Sequence, residues 1–316
     1  MTANTTADTA TPNKHTPQSA IMPEHCTAGI FIEADIINAT DTSVQQAIGT
    51  ACRQALQILH ELQTAYPESL LGLTIGFGAG FWHSVANGEG QQLMDFVPLG
   101  GGLAPATQHD MMLHIQSMRH ELNFALAQQV LAAFGDRLGN ISETHGFRHL
   151  GERGWDGFVD GTENPHDDNI APTAIINTGV DAGGSYVLLQ KYHHDLAKWQ
   201  GYSLDEQEES VARTKADNVE FDKSRRHPRS HIARTNLKED GVGLKIVRRS
   251  LPYGTVSGEH GLMFIAYAAR LHNIHAQLVS MFGDTDGQTD LLLERLSTAV
   301  SGAYYFAPSQ ERLAAL

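Results

Sequence analysis

Several stretches of this 316-residue chain carry side chains whose type and spacing could do chemistry. The first is GFVDGTENP (157–165), where the carboxyl of Asp160 stands between the apolar pair Phe158-Val159 and Gly161. Asp-Gly and Asn-Pro both start turns, so the pattern alone reads as a loop between two structured segments, with an acid in an unusual setting. The second is SRRHPRSHIARTNL (224–237), which carries His231 from a cationic, turn-rich loop into an apolar-alternating segment. One imidazole at such a loop–strand junction beside several arginines has the look of an axial haem ligand with propionate partners, and equally of an ordinary surface histidine. The third is KIVRRSLPYG (245–254), in which Arg248 is a strand arginine of the kind that usually serves an ion pair.

Seventeen histidines invite a search for a metal site. His272 and His275 lie one helical turn apart and could share a zinc ion, but no second Cys, His or Asp pair accompanies them at a diagnostic spacing. Adjacent His193 and His194 point to opposite faces of a strand, so one ion cannot bind both. The glycine-rich runs GFGAGFW and PLGGGLAP lack the spacing and the Lys-Ser/Thr ending of phosphate loops and read as turns. A net charge of −14 argues against a nucleic-acid partner, since that affinity comes from clustered Lys and Arg. Two cysteines, no apolar leader and no run near the roughly 20 apolar residues of a membrane span point to a cytoplasmic protein.

The elements that must position these residues follow from periodicity. AGIFIEADI (28–36) alternates as a half-buried strand, and VQQAIGTACRQALQILHELQTAYP repeats its apolar positions every three to four residues as a helix stopped by Pro67. LLGLTIGFG, MMLHIQ, a helix in RHELNFALAQQVLAAFGD and a strand in ISETHGFRHL complete the order β-α-β-β-α-β. The second half repeats it: strand YVLLQKYHH, a helix around 204–214, strands GLKIVRRS and GLMFIAYA, helix RLHNIHAQLVSMFGD and strand AYYFAP. Both second helices end in Phe-Gly-Asp. The expected fold is therefore α+β: two duplicated ferredoxin-like units, each an antiparallel sheet with helices packed on one face. A Thr/Ala/Asn-rich leader (1–20) with little to bury is expected to be disordered, ahead of an N-terminal half (21–150) and a C-terminal half (151–316) that carries the site.

From about Ile21 to Leu316 the chain resembles the dye-decolourising peroxidases, specifically the bacterial cytoplasmic subgroup. GFVDGTENP, DAGGSYV, ARTK, SHIARTNLKEDG, LKIVRRSLPYG, RLHNIHAQLVSMFGDTDG and YYFAPS occur in the family's order and spacing. The resemblance implies the duplicated ferredoxin-like fold with haem b in the second half. It makes Asp160 the distal acid, Arg248 the distal arginine and His231 the iron ligand. It sets Arg213 near a propionate, makes Asp290 the acceptor of the imidazole N–H, and adds Gly161, Thr162 and Ser250 to the cofactor's surroundings. Ser250 stands where some relatives have asparagine. The implied activity is reduction of hydrogen peroxide with oxidation of dye-like or phenolic one-electron donors, through the haem edge or surface aromatics such as Trp155, Trp199 or Tyr253. A homodimer or larger homo-oligomer is implied too. The competing readings are a haem-binding or haem-iron-releasing protein, and a haem-free zinc hydrolase.

Overall fold

The computed structural model describes residues 15–316. The first half contains β1 (Ala28–Ile36), α1 (Thr42–Ala65), β2 (Gly72–Phe77), α2 (Ala79–Val85), β3 (Met111–Ser117), α3 (His120–Phe134) and β4 (Leu138–Phe147). The second half opens with α4 (Ile170–Ala174), β5 (Ser185–His194), α5 (Leu196–Gln200), α6 (Leu204–Val211) and α7 (His231–Thr235). A short ribbon follows, β6 (Lys238–Glu239) with β7 (Val242–Gly243), then β8 (Val247–Arg248), β9 (Leu251–Gly254) and β10 (His260–Ala268). The chain closes with α8 (Leu271–Met281), α9 (Leu291–Arg295), β11 (Ser297–Ala299), β12 (Ala303–Ala307) and α10 (Gln310–Ala314).

Each half has the ferredoxin-like strand order, β2-β3-β1-β4 in the first and β12-β5-β10-β9 in the second, all neighbours antiparallel. The two sheets are not separate. Phe306 pairs with Phe77 at one seam and Gly146 with Tyr253 at the other, and because β5 also pairs with β10 the strands run round into a closed barrel. Closure leaves fewer free edges and explains a difference from the half-buried β1 expected from alternation: Ile30 and Ile32 face α1 and α3, while Phe31 and Glu33 are equally buried on the inner face. That interior holds Phe31, Met112, Val187, Leu189, Val247, Ile265, Tyr267 and Tyr305 as one cluster drawn from both halves.

The helices cover the outside. Asp41 caps α1 by accepting the Ser43 N–H at 2.7 Å, and Ile48, Cys52, Ala55 and Leu59 bury its apolar stripe. In the second half α8 buries Leu271, Ile274 and Leu278. The leader expected over 1–20 is packed from residue 15 onwards as far as it is described: Gln18 is 1% exposed, donates to the Ile75 and Pro308 carbonyls and accepts the Ile75 N–H. Residues 1–14 lie outside the described residues. Among the described residues no helix is long and apolar enough to cross a membrane.

Candidate active site

A cavity of about 230 Å³ lies against the outer face of the second half's sheet. Tyr192 and His194 of β5 and Leu262 and Phe264 of β10 line it, as do Leu278 and Met281 of α8, Leu292 and Leu293 of α9, and the loop 154–163. These strand positions alternate with interior-facing Met263 and Ile265, so strand periodicity itself assigns one face to the barrel and the other to the cavity. His231, Asp160, Arg248, Gly161, Thr162, Arg213 and Ser250 all line it too, which gathers every expected site residue except Asp290.

Asp290 sits directly behind. It is fully buried, and its Oδ2 is 2.7 Å from His231 Nδ1. Its Oδ1 accepts the Leu292 N–H at 2.8 Å and so caps α9, while its own N–H donates to the Met281 carbonyl. The two segments are stapled further, since the Leu291 N–H donates to the Arg229 carbonyl and Arg229 Nε donates to the Thr289 carbonyl. A buried carboxylate needs such a partner. It accepts a hydrogen bond from Nδ1–H, which leaves Nε2 as the imidazole's lone-pair nitrogen, without a protein partner among the described residues. His231 does not stand at a loop–strand junction as its sequence suggested: Ser230 is an N-cap and His231 opens α7. The short helix has only Ile232 and Arg234 buried, too little repetition for periodicity to reveal.

The Asp160 loop is held from several directions. The Asp160 N–H donates to the Glu152 carbonyl at 2.9 Å, and Asp156 Oδ1 accepts the Phe158 N–H at 2.9 Å. Gly157 and Gly161 have φ of +86° and +83°, a region that favours glycine. At Gly157 a Cβ would also meet the Lys215 side chain, whereas nothing crowds Gly161, so Gly161 is demanded by its backbone conformation rather than by close approach. Asn164 ties this loop to β8: its Oδ1 accepts the Arg248 N–H at 2.8 Å and its Nδ2 donates to the Arg248 carbonyl at 3.1 Å. The Arg248 guanidinium has no ion pair or hydrogen bond among the described residues and is free to meet a ligand. A second, polar cavity of about 110 Å³ shares Asp160, Gly161, Arg248 and Ser250 with the first and adds Arg148, His149, Glu152, Arg153 and His166.

The remaining residues are more committed. Arg213 is buried and bonded to Glu163 (2.5 Å), Glu220 (3.0 Å) and the Asn218 carbonyl (3.0 Å), so its two terminal nitrogens are already engaged. Thr162 Oγ1 accepts from Asn218 Nδ2 at 2.9 Å. Ser250 Oγ bridges to the Ile265 backbone, accepting its N–H at 3.2 Å. Asn164 and Asp156 were missed as site residues. The first had a signal in its place inside GFVDGTENP, but a side chain bonding a distant backbone leaves no periodic trace. Of the aromatics considered for surface electron transfer, Trp199 and Tyr253 are buried at 2% and 5% exposure, and only Trp155 is partly exposed.

No group of three or more His, Cys, Asp or Glu converges as a metal-ion site among the described residues. His272 pairs with Glu239 at 2.6 Å and His275 with the Tyr304 hydroxyl at 3.1 Å, apart from each other's chemistry. What the cavity offers is one imidazole nitrogen backed by a carboxylate, within largely apolar walls and beside free cationic charge. That donor set suits a metal which brings its own planar ligands, as in haem, and not a bare ion.

The Dyp-type peroxidase N-terminal model matches residues 18–148 and the Dyp-type peroxidase C-terminal model matches 151–312. A dye-decolorizing peroxidase of Brevibacterium linens is 34% identical over 312 residues, covering 96% of this chain and 83% of that one. Among solved structures, a dye-decolorizing protein from V. cholerae is 40% identical with a TM-score of 0.87, covering 94% of this chain and 99% of that one. A Rhodococcus jostii DypB variant in complex with haem is 34% identical with a TM-score of 0.86, covering 95% and 98%.

Proposed function

The chain belongs to the Dyp-type, or dye-decolourising, peroxidase family, and on that premise we propose that it is a haem b peroxidase in which His231 holds the iron while Asp160 and Arg248 act on hydrogen peroxide. The observation that carries the reading is the His231–Asp290 contact of 2.7 Å in a cavity that Asp160 and Arg248 also line. Bound there, haem supplies the iron at which peroxide is split and the store from which one-electron donors are oxidised.

The protein's own contributions follow from its groups. Asp290 accepts a hydrogen bond from the Nδ1–H, fixes the tautomer and gives the ligand imidazolate character. Asp160, when ionised, accepts a proton from peroxide directly or through water and holds it near the departing oxygen. Arg248 stays charged at every relevant pH, and its unpaired guanidinium offsets the negative charge that grows there. Leu262, Phe264, Leu278 and Met281 give the cavity apolar walls, while Asp160 is itself exposed. The smaller polar cavity reaches Asp160 and Arg248 without crossing the apolar walls and is suited to admit peroxide. Bulky reductants remain outside, with dye-like or phenolic compounds as the class.

The proposal also covers setting and assembly. Cys26 and Cys52 are free and buried, in keeping with a reducing cytoplasm. Exposed Phe124, Phe147 and Leu150 give the first half an apolar surface suited to a homo-oligomer. The testing experiment is the absorption spectrum of the haem-loaded protein before and after stoichiometric peroxide. A histidine-ligated ferric spectrum that converts on addition supports the reading, and absence of haem uptake overturns it.

A further inference from the structure

We propose that Arg249 is a positioning residue for the peroxide reaction, aiming Arg248 by tying its backbone to the segment that precedes β1.

The first observation is how the Arg248 backbone is held. β8 consists of Val247 and Arg248 alone, too short for its own ladder to fix the direction of a side chain. Side chains hold it instead. Asn164 bonds its N–H and its carbonyl, and that carbonyl also accepts from Arg249 Nη1 at 3.2 Å.

The second observation is where the rest of the Arg249 guanidinium goes. The residue is 7% exposed, and its Nε donates to the Ile21 carbonyl at 3.0 Å and its Nη2 to the Met22 carbonyl at 2.9 Å, partners 228 and 227 positions away. That stretch is fastened in turn to the first half's sheet: the Leu73 N–H on β2 donates to Ser19 Oγ at 3.1 Å, and Gln116 Nε2 on β3 donates to the Ala20 carbonyl at 2.7 Å. A line of bonds therefore runs from β2 and β3 through residues 19–22 and Arg249 to the Arg248 backbone. Asn164 meets it there from the Asp160 loop. The first half, which contributes no side chain to the larger cavity, in this way helps to aim the distal arginine.

The third observation is the choice of residue. All three bonds end on backbone carbonyls, and Glu24, the acid that faces Arg249, is taken by His166 at 2.6 Å and by the Asp167 N–H at 3.1 Å. Burying a guanidinium without a bonded carboxylate is costly. What offsets the cost is a planar fork of donors that reaches two separate segments at once, which the compact ammonium of a lysine does not do. Arg249 borders the polar cavity beside Arg248, but its donors are spent on the backbone, so it acts on peroxide only through its neighbour.

The proposal rests on the peroxidase reading for what the larger cavity binds, so one measurement is made without haem. Hydrogen exchange of the haem-free protein should show the peptide spanning 245–250 opening faster in Arg249→Met than in the wild type, because the strand loses its anchor. In the haem-loaded protein, the affinity of ferric iron for fluoride reads an N–H donor beside the open position. It should fall together with the peroxide rate by roughly 10-fold or more in Arg249→Met, at every pH. In an Arg248→Leu background the same change should cost nothing further, since the two residues act as one unit. Arg249→Lys keeps the charge without spanning both segments and should lie in between; it also carries the test if Arg249→Met does not fold. Unchanged fluoride affinity and peroxide rate in Arg249→Met, wild-type values in Arg249→Lys, or an equal loss with and without Arg248 overturns the positioning role, and unchanged exchange overturns the tie itself. If no protein takes up haem, the peroxidase reading fails while exchange still decides whether Arg249 holds the strand.

Discussion

Asp290 does two things with one carboxylate, bonding the imidazole with Oδ2 and capping α9 with Oδ1. Asp290→Asn keeps a capping oxygen and loses the anion, so the ferric/ferrous midpoint should rise while the fold survives; redox titration checks it, and loss of the carboxylate behind a metal-ligating imidazole typically costs about 10–100-fold in metal affinity or activity. The distal pair divides differently. Arg248→Leu should slow peroxide cleavage by about 10²–10³-fold at every pH, as losing one preorganised charge-stabilising donor does. Asp160→Ala should lose less and change the pH profile, because water or the arginine can stand in for the acid. Stopped-flow rates across acidic to neutral pH separate the two. At this scale the sequence was informative: Asp160, Arg248, His231 and Asp290 are named by motif, and the structure brings them together. Asn164 was not legible as a tie to the arginine's strand, because its partner Arg248 lies 84 positions along the chain.

Elements set how well those groups are aimed. Asn164 spans from the Asp160 loop to β8 and satisfies both backbone groups of Arg248. Asn164→Ala should leave that amide short of a partner, at a cost of about 1–3 kcal/mol where water cannot replace it, while the carbonyl keeps Arg249 Nη1 at 3.2 Å. The peroxide rate should fall with little change in haem content, which rates beside an absorbance ratio will show. Periodicity recovered the long elements, α1, α3, α8 and the barrel strands other than β9, because each repeats its apolar face over several residues; the strand expected over GLKIVRRS is reduced to Val247-Arg248, and the barrel strand starts after it at Leu251. It failed at α7, where five residues begin at His231, and at Arg248, whose strand is only two residues long. Those short elements are held by tertiary bonds such as Arg234 to the Ser280 carbonyl, at 2.8 Å, and not by their own pattern.

At the scale of the whole molecule, the two ferredoxin-like halves share one barrel and one interior. Repetition in the sequence revealed the halves but not their closure, since the seams are the single pairs Phe306–Phe77 and Gly146–Tyr253. Closure buries polar groups that alternation would have left outside. His114 is one of them, fully buried, stacked on Phe31 and 2.8 Å from the Tyr267 hydroxyl, and burial pushes its pKa down to about 3. The folded imidazole stays neutral while the unfolded one takes up a proton below about 6.5. Its contribution to stability is therefore complete above that pH and lost as pH falls towards 3, and burial of His194, pushed down to about 4, acts in the same direction. Urea unfolding between pH 7 and 4 should show wild-type stability falling more steeply than that of His114→Gln. The central claim is that one imidazole, backed by Asp290, makes this cavity a haem peroxidase site. Haem titration of wild type and His231→Ala, followed by absorption and electron paramagnetic resonance, tests it most directly: the wild type should show a histidine-ligated ferric spectrum that the variant lacks, and an unchanged spectrum and haem content in His231→Ala would contradict the account.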